Sequence, residues 1–185
     1  MGAVLESIPY ALAGRRCGVV AIGALASFPA LSAWAGAAGT SRFSNRGISF
    51  AYPSSWYVTT RPLSNGVEPI YRFAVGNFRF HRTPRDVGPC LEGIARQRTA
   101  GGVLAFMREA TGADARRSRV APRPAAFRLP TPSDRAACLG PGSSQVAFRQ
   151  VGRVFYLWIS VAPKAPAVAR TQLAQLLDSM KITKD

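Results

Sequence analysis

From Cys17 to Ala38 the chain is apolar or small at nearly every position and carries no charge, behind a polar lead that ends in Arg15-Arg16. Beyond residue 45 the hydrophobic positions fall into short alternating stretches. Ile48-Ser49-Phe50-Ala51-Tyr52 alternates with period two and stops at Pro53-Ser54-Ser55, which predicts a half-buried strand. Trp56 to Thr60, aromatic and β-branched, predicts a second. Tyr71, Phe73 and Val75 alternate with polar or small neighbours, and Gly76-Asn77 fits a two-residue turn into Phe78 to Arg82, a hairpin. Cys90 to Arg98 sets Leu91, Ile94 and Ala95 on one face of a short helix. Val103 to Glu109 mixes helix formers with apolar residues, but its shortness between Gly102 and Gly112 favours a strand. Thr40 to Asn45 reads as a linker, and residues 110–123 as an exposed polar loop. Ala125 to Leu129 is a short apolar segment before a Pro/Ser loop.

The clearest signals come last. Gln145 to Gln150 and Val154 to Val161 form a hairpin turned at Val151-Gly152-Arg153. In its second arm Val154, Tyr156 and Trp158 share one face, and Phe155, Leu157, Ile159 and Val161 share the other. Apolar residues on both faces predict a central strand covered on both sides. Pro166 suits a first helical turn, after which Ala169, Leu173, Leu176, Leu177 and Met180 fall on one stripe that must be buried against the sheet. Strands, a short helix, more strands and a terminal helix predict an α+β domain over 46–185. Its expected form is a mostly antiparallel sheet covered by helices.

The basic, apolar, small-residue order of residues 1–38 is the layout of a secretory signal, with Ala33-Trp34-Ala35 and Ala35-Gly36-Ala37 as cleavage patterns. The run also reaches the roughly 20 residues that span a bilayer, so it is a signal peptide or an N-terminal membrane anchor. Either way the arginine pair stays cytoplasmic and the domain after the 39–45 linker lies outside, secreted or anchored on the outer face of the membrane.

Charge sharpens this picture. The chain has 24 Lys+Arg against 9 Asp+Glu. Arg15, Arg16 and Glu6 lie in the lead, which leaves 22 basic and 8 acidic residues, a charge of +14, beyond it. Such a charge attracts polyanions: anionic lipid, a wall polymer or an acidic envelope protein, with nucleic acid disfavoured by export. Arg79, Arg82 and Arg85 lie close in sequence, as do Arg116, Arg117, Arg119 and Arg123, and these seven are the expected anion-binding residues if they converge.

Recognisable catalysis is absent. There is no G-x-S-x-G, HExxH or CxxC, and His81, the only histidine, sits among arginines that disfavour the imidazolium a general base must become. No cofactor or metal site is expected. With Cys17 left in the lead, Cys90 and Cys138 remain, either two separate buried thiols or, as expected outside the cytoplasm, a disulfide. The function expected is a non-enzymatic binding or adaptor domain of the cell envelope; an extracytoplasmic enzyme without a recognisable motif is the alternative.

Phe50-Ala51-Tyr52-Pro53-Ser54-Ser55-Trp56 resembles the strand–Tyr-Pro-x-x-Trp–strand opening of the PsbP-like family, extrinsic or lipid-anchored proteins of lumenal and extracytoplasmic spaces. Gly152-Arg153-Val154-Phe155-Tyr156 is similar to the central hairpin of small exported bacterial proteins. Leu176 to Ile182 resembles the family's terminal helix and short last strand. The resemblance spans about residues 46–183 and implies a PsbP-like layered fold and an adaptor-like role. It transfers no ligand-binding residue.

Overall fold

Two β-hairpins close on turns that force the backbone left-handed. Arg46 and Gly47 (φ 46° and 70°) join strand β1 (Thr40–Asn45) to β2 (Ile48–Pro53). Val151 and Gly152 (φ 46° and 83°) join β8 (Ser143–Gln150) to β9 (Arg153–Val161). Two consecutive left-handed residues match the right-handed twist of the paired strands. The computed structural model describes residues 39–63, 69–81, 94, 97–136 and 139–184.

Between the hairpins run β3 (Tyr57–Thr59), β4 (Ile70–Gly76), β5 (Val103–Ala110), helix α1 (Gly112–Arg117), and the two-residue strands β6 (Arg135–Ala136) and β7 (Gly140–Pro141). Helix α2 (Ala167–Ser179) and β10 (Lys181–Ile182) are the last elements among the described residues. β3-β4-β5-β9-β8 make a five-stranded sheet and β1-β2-β10 a three-stranded one, with every named strand pair antiparallel; β6 and β7 pair separately.

The main core lies between the two sheets. Ile48, Phe50 and Ile182 from the small sheet, with Ala169, Leu173, Leu176 and Leu177 from α2, meet Phe73, Val75, Met107, Phe155, Leu157 and Ile159 from the large one. Phe50 and Phe73 touch across the gap with ring centroids 4.8 Å apart. The other face of the large sheet carries a smaller cluster, Leu63, Ala74, Phe78, Ile94, Leu104, Phe106, Ala136, Leu139 and Trp158.

A helix-covered sheet, expected from the sequence, is therefore wrong. Among the described residues there are two short helices, and the large sheet is covered on one face by a second sheet together with α2. Two local misreadings account for the error. Thr40 to Asn45, read as linker, is a strand: Phe43, its one large apolar residue, stacks on Phe50 at 4.7 Å. The expected Gly76-Asn77 hairpin does not form either, because β4 pairs with β5 instead. The Asn77 side chain accepts from Val103 N (2.8 Å) and donates to Gly101 O (3.2 Å), stapling two segments 26 residues apart. Residues 110–123, read as loop, contain α1. The strands at 48–53, 103–110 and 143–161 and the terminal helix follow the sequence pattern.

One end of the sandwich is closed by charge. A β-bulge places Arg72 and Phe73 opposite Met107, which turns Arg72 to the side of Glu109. Glu109 Oε2 accepts from Arg72 Nε (2.6 Å) and Arg153 Nη2 (2.7 Å), and Oε1 accepts from Arg153 Nε (2.9 Å). Arg153 Nη1 also donates to Arg46 O (3.1 Å) and Thr183 O (2.9 Å), tying the large sheet to the small one. Burial pushes the Glu109 carboxyl up, but the Arg153 hydrogen bond and the charges of Arg72 and Arg153 outweigh it and hold it below its usual 4.5.

Candidate functional site

The large sheet's second face is filled at the Leu104 end and open at the Ala110 end. Across the strands two rows of side chains share that face. Tyr71, Arg108 and Tyr156 stand opposite one another on β4, β5 and β9, and Phe106, Trp158 and Gln145 do so on β5, β9 and β8. Phe106 and Trp158 stack at 4.8 Å with rings nearly parallel. The Tyr156 ring lies 6.1 Å from Trp158, tilted by 39°.

Over these rings opens a cavity of about 430 Å³. Tyr156 and Trp158 floor it, with Ala110, Pro69 and Gln145 beside them; Asp114, Arg117 and Ser118 from the α1 segment form its wall. α1 buries none of its own residues, so it needs an outside hold. Arg149 supplies one by donating from Nη2 to Ala115 O (3.0 Å) and Ser118 O (2.9 Å), the carbonyls a helix end leaves unsatisfied. Ser118 Oγ lies 3.3 Å from Tyr156 Oη, a contact between wall and floor. Ser118 Oγ donates to the Asp114 main-chain carbonyl (2.7 Å). That contact leaves Ser118 unlike a nucleophile activated by a carboxylate.

Beneath the floor lies a buried guanidinium. Arg108 is 1% exposed, with its guanidinium carbon 6.0 Å from the Trp158 ring centroid. Burial lowers its pKa from the usual arginine value and the nearby Tyr71 raises it in part, which still leaves a cation at neutral pH. Burial likewise pushes the Tyr71 phenol well above its usual 10.0, against the opposing charge of Arg108. The Tyr71 hydroxyl is buried and has no hydrogen-bond partner.

The expected anion-binding arginines divide. Arg116, Arg117 and Arg119 are all exposed, on or just after α1 at the open end of the sheet. Arg79 is exposed beyond the far end of β4, separated from α1 by the length of β5, about 24 Å at roughly 3.4 Å per residue. Arg123 is engaged within the fold: it donates to Met180 O (2.5 Å), Leu177 O (2.8 Å) and Asp178 O (3.2 Å), capping α2. Its guanidinium also covers Phe127, 5.2 Å from the ring centroid. Arg82, Arg85, Cys90 and Cys138 lie outside the described residues, as do residues 1–38 and most of the expected helix at 90–98.

The sequence reading missed the cavity's floor and part of its wall. Tyr156 and Trp158 lie on one face of a central strand and were read as core. A guanidinium at Arg108, directly after the apolar run of Val103 to Met107, was the available signal that this face is not plain core. A second cavity of about 500 Å³ is lined by Thr59, Arg61, Pro62, Leu63, Phe80 and His81. Among the described residues no group of three or more His, Cys, Asp or Glu could hold a metal ion, and no helix is long and apolar enough to cross a membrane. No family model matches the chain, no curated protein matches it, and no solved structure matches it.

Proposed function

We propose that the chain is an exported, non-enzymatic binding domain of the cell envelope whose recognition surface is the α1 end of the five-stranded sheet. The observation that carries this is the grouping of exposed Arg116, Arg117 and Arg119 on or just after α1, with Arg117 lining an aromatic-floored cavity. Three exposed cations on or just after one short helix favour an acidic partner. Export rests on the basic, apolar, small-residue lead, and the resemblance to PsbP-like proteins points to the same adaptor-like role.

Gly39 O accepts from Ser54 N (2.7 Å) beside the start of β1, whereas Arg153 holds the Arg46 turn at the Glu109 end of β5, next to α1. A tether entering at Gly39 thus joins the domain at the end opposite α1.

Two measurements test the reading. A reporter fused after Asp185 that works only outside the cytoplasm must be active; activity only of a cytoplasmic reporter would refute export. The full chain must bind added anionic vesicles, leave them as salt rises past about 0.1 M, where screening acts beyond roughly 10 Å, and bind less when Arg116, Arg117 and Arg119 become Gln. Equal binding to neutral vesicles, or none to anionic ones, refutes the surface.

A further inference from the structure

The small sheet has an open edge at β1. The β1–β2 hairpin closes on the two-residue turn Arg46-Gly47, so Asn45 and Ile48 exchange main-chain bonds, and bonded pairs recur at every second residue. Ser54 N donating to Gly39 O (2.7 Å) keeps the same phase at the other end. Ser41 and Phe43 are thus committed to β2, while the N–H and C=O groups of Thr40, Arg42 and Ser44 point away from it. Among the described residues those outward groups take no main-chain partner.

The remaining edges are shorter or covered. β3 has 3 residues and β10 has 2. β8 is held at both ends: Ser143 N donates to Asp134 O (3.2 Å), Arg149 N donates to Ala121 O (2.8 Å), and Arg149 O accepts from Arg123 N (3.1 Å). β1 runs 6 residues with side chains alternately exposed and half-buried. A strand added to it would meet Arg42 on the outer face and the half-buried Phe43 on the inner face.

Charge names the partner. Arg42, Arg46 and Lys181 are exposed, and no Asp or Glu stands on β1, β2, β10 or the turn. Arg42 makes no ion pair among the described residues. Ser44 and Lys181 both stand opposite Ser49, which puts Lys181 on the outer face with Arg42. A second copy of the chain would bring its own Arg42 and Arg46 to the edge, and like charges oppose that pairing. We propose that β1 accepts an extended acidic segment of another protein as an added antiparallel strand, with a carboxylate opposite Arg42 and an apolar side chain beside Phe43. Main-chain bonds to Arg42 and Ser44 supply the affinity, and the alternating side chains select the partner. This edge goes beyond the α1 arginines and does not depend on them.

Three short fluorescent peptides test it, alternating Val with Glu, Gln or Lys. Anisotropy is read with the full chain held in neutral-lipid nanodiscs, with empty nanodiscs as the blank. The Glu peptide should bind more tightly than the Gln peptide, and the Lys peptide weakest. Arg42→Gln should weaken the Glu peptide about threefold, as expected of one exposed ion pair, and leave the Gln peptide unchanged. In an antiparallel pair the residue opposite Arg42 turns both of its main-chain groups toward β1. N-methylation of the glutamates should therefore abolish binding, and N-methylation of the valines should spare it. Ser44→Pro removes an outward N–H that β2 does not use, and it should abolish binding while circular dichroism shows the fold retained. Equal affinity for the Glu and Gln peptides, equal loss from either N-methylation, or failure of all three to bind overturns the proposal. So does loss of Glu-peptide binding when Arg116, Arg117 and Arg119 become Gln. Peptide binding by a chain that ignores anionic vesicles would instead count against the α1 surface alone.

Discussion

Glu109 is the residue whose removal should damage this fold most through charge. Its side chain is 9% exposed, and it neutralises two guanidiniums that are themselves 7% and 11% exposed, those of Arg72 and Arg153. Replacing it by Ala takes the shared carboxylate from two like charges buried beside each other. Breaking a buried ion pair by deleting one partner costs roughly 3–5 kcal/mol. We expect Glu109→Ala to lose about 4 kcal/mol, out of a typical domain stability of about 5–15 kcal/mol. For a domain of about 150 residues that lowers Tm by roughly 8–16 °C, at about 2–4 °C per kcal/mol. Glu109→Gln, which keeps the shape and some hydrogen bonds, should lose less. Urea unfolding followed by tryptophan fluorescence reads both.

The pH dependence has a definite sign. Glu109 is held below its usual 4.5 in the folded state, so its contribution is complete above the unfolded value and disappears as pH falls through the folded one. Wild type and Glu109→Gln should therefore differ most at neutral pH and converge only as pH falls through the lowered folded value of Glu109. A loss under about 1 kcal/mol for Glu109→Ala, or a gap between wild type and Glu109→Gln that persists undiminished into acid, would refute the electrostatic account.

Three further outcomes follow from particular residues. Val151 is β-branched, 42% exposed and left-handed (φ 46°) in a turn that favours Asn-Gly, so Val151→Asn should raise stability by about 1 kcal/mol in the same urea assay; a loss would contradict it. Arg123→Met removes three hydrogen bonds to the C-terminal carbonyls of α2 and should cost about 2 kcal/mol, with amide exchange faster in the last turn; unchanged exchange there would count against the capping role. Cys90 and Cys138 should show no free thiol in the denatured, unreduced monomer, because a bond closing that 49-residue loop, both ends counted, stabilises by about 4 kcal/mol on the chain-entropy model; two titratable thiols would disprove it.

Sequence periodicity alone located the elements whose partners are near in the chain. The β8–β9 hairpin needed only alternation and Gly152 at its turn, and α2 needed only one apolar stripe, because period two and period 3.6 are properties of the local backbone. The two-faced burial of β9 was also legible, since every position from Val154 to Trp158 is apolar or aromatic. Partner choice between distant segments was not. Nothing local to Thr40–Asn45 says that Phe43 will stack on Phe50, or that β10 will close the same small sheet, so a covering sheet was mistaken for a covering of helices. The arginines make the same point. Arg116, Arg117, Arg119 and Arg123 look alike as a run of charge, yet only contact with the end of α2, more than 50 residues away, converts Arg123 into a cap and leaves the other three exposed. The cavity is likewise a tertiary product: Tyr156 and Trp158 are core residues by pattern, and they become a floor because α1 stands at the edge of the open face instead of filling it. Hydrophobic pattern specifies which face of a strand must leave water, while the packing of segments remote in sequence decides how completely it does so.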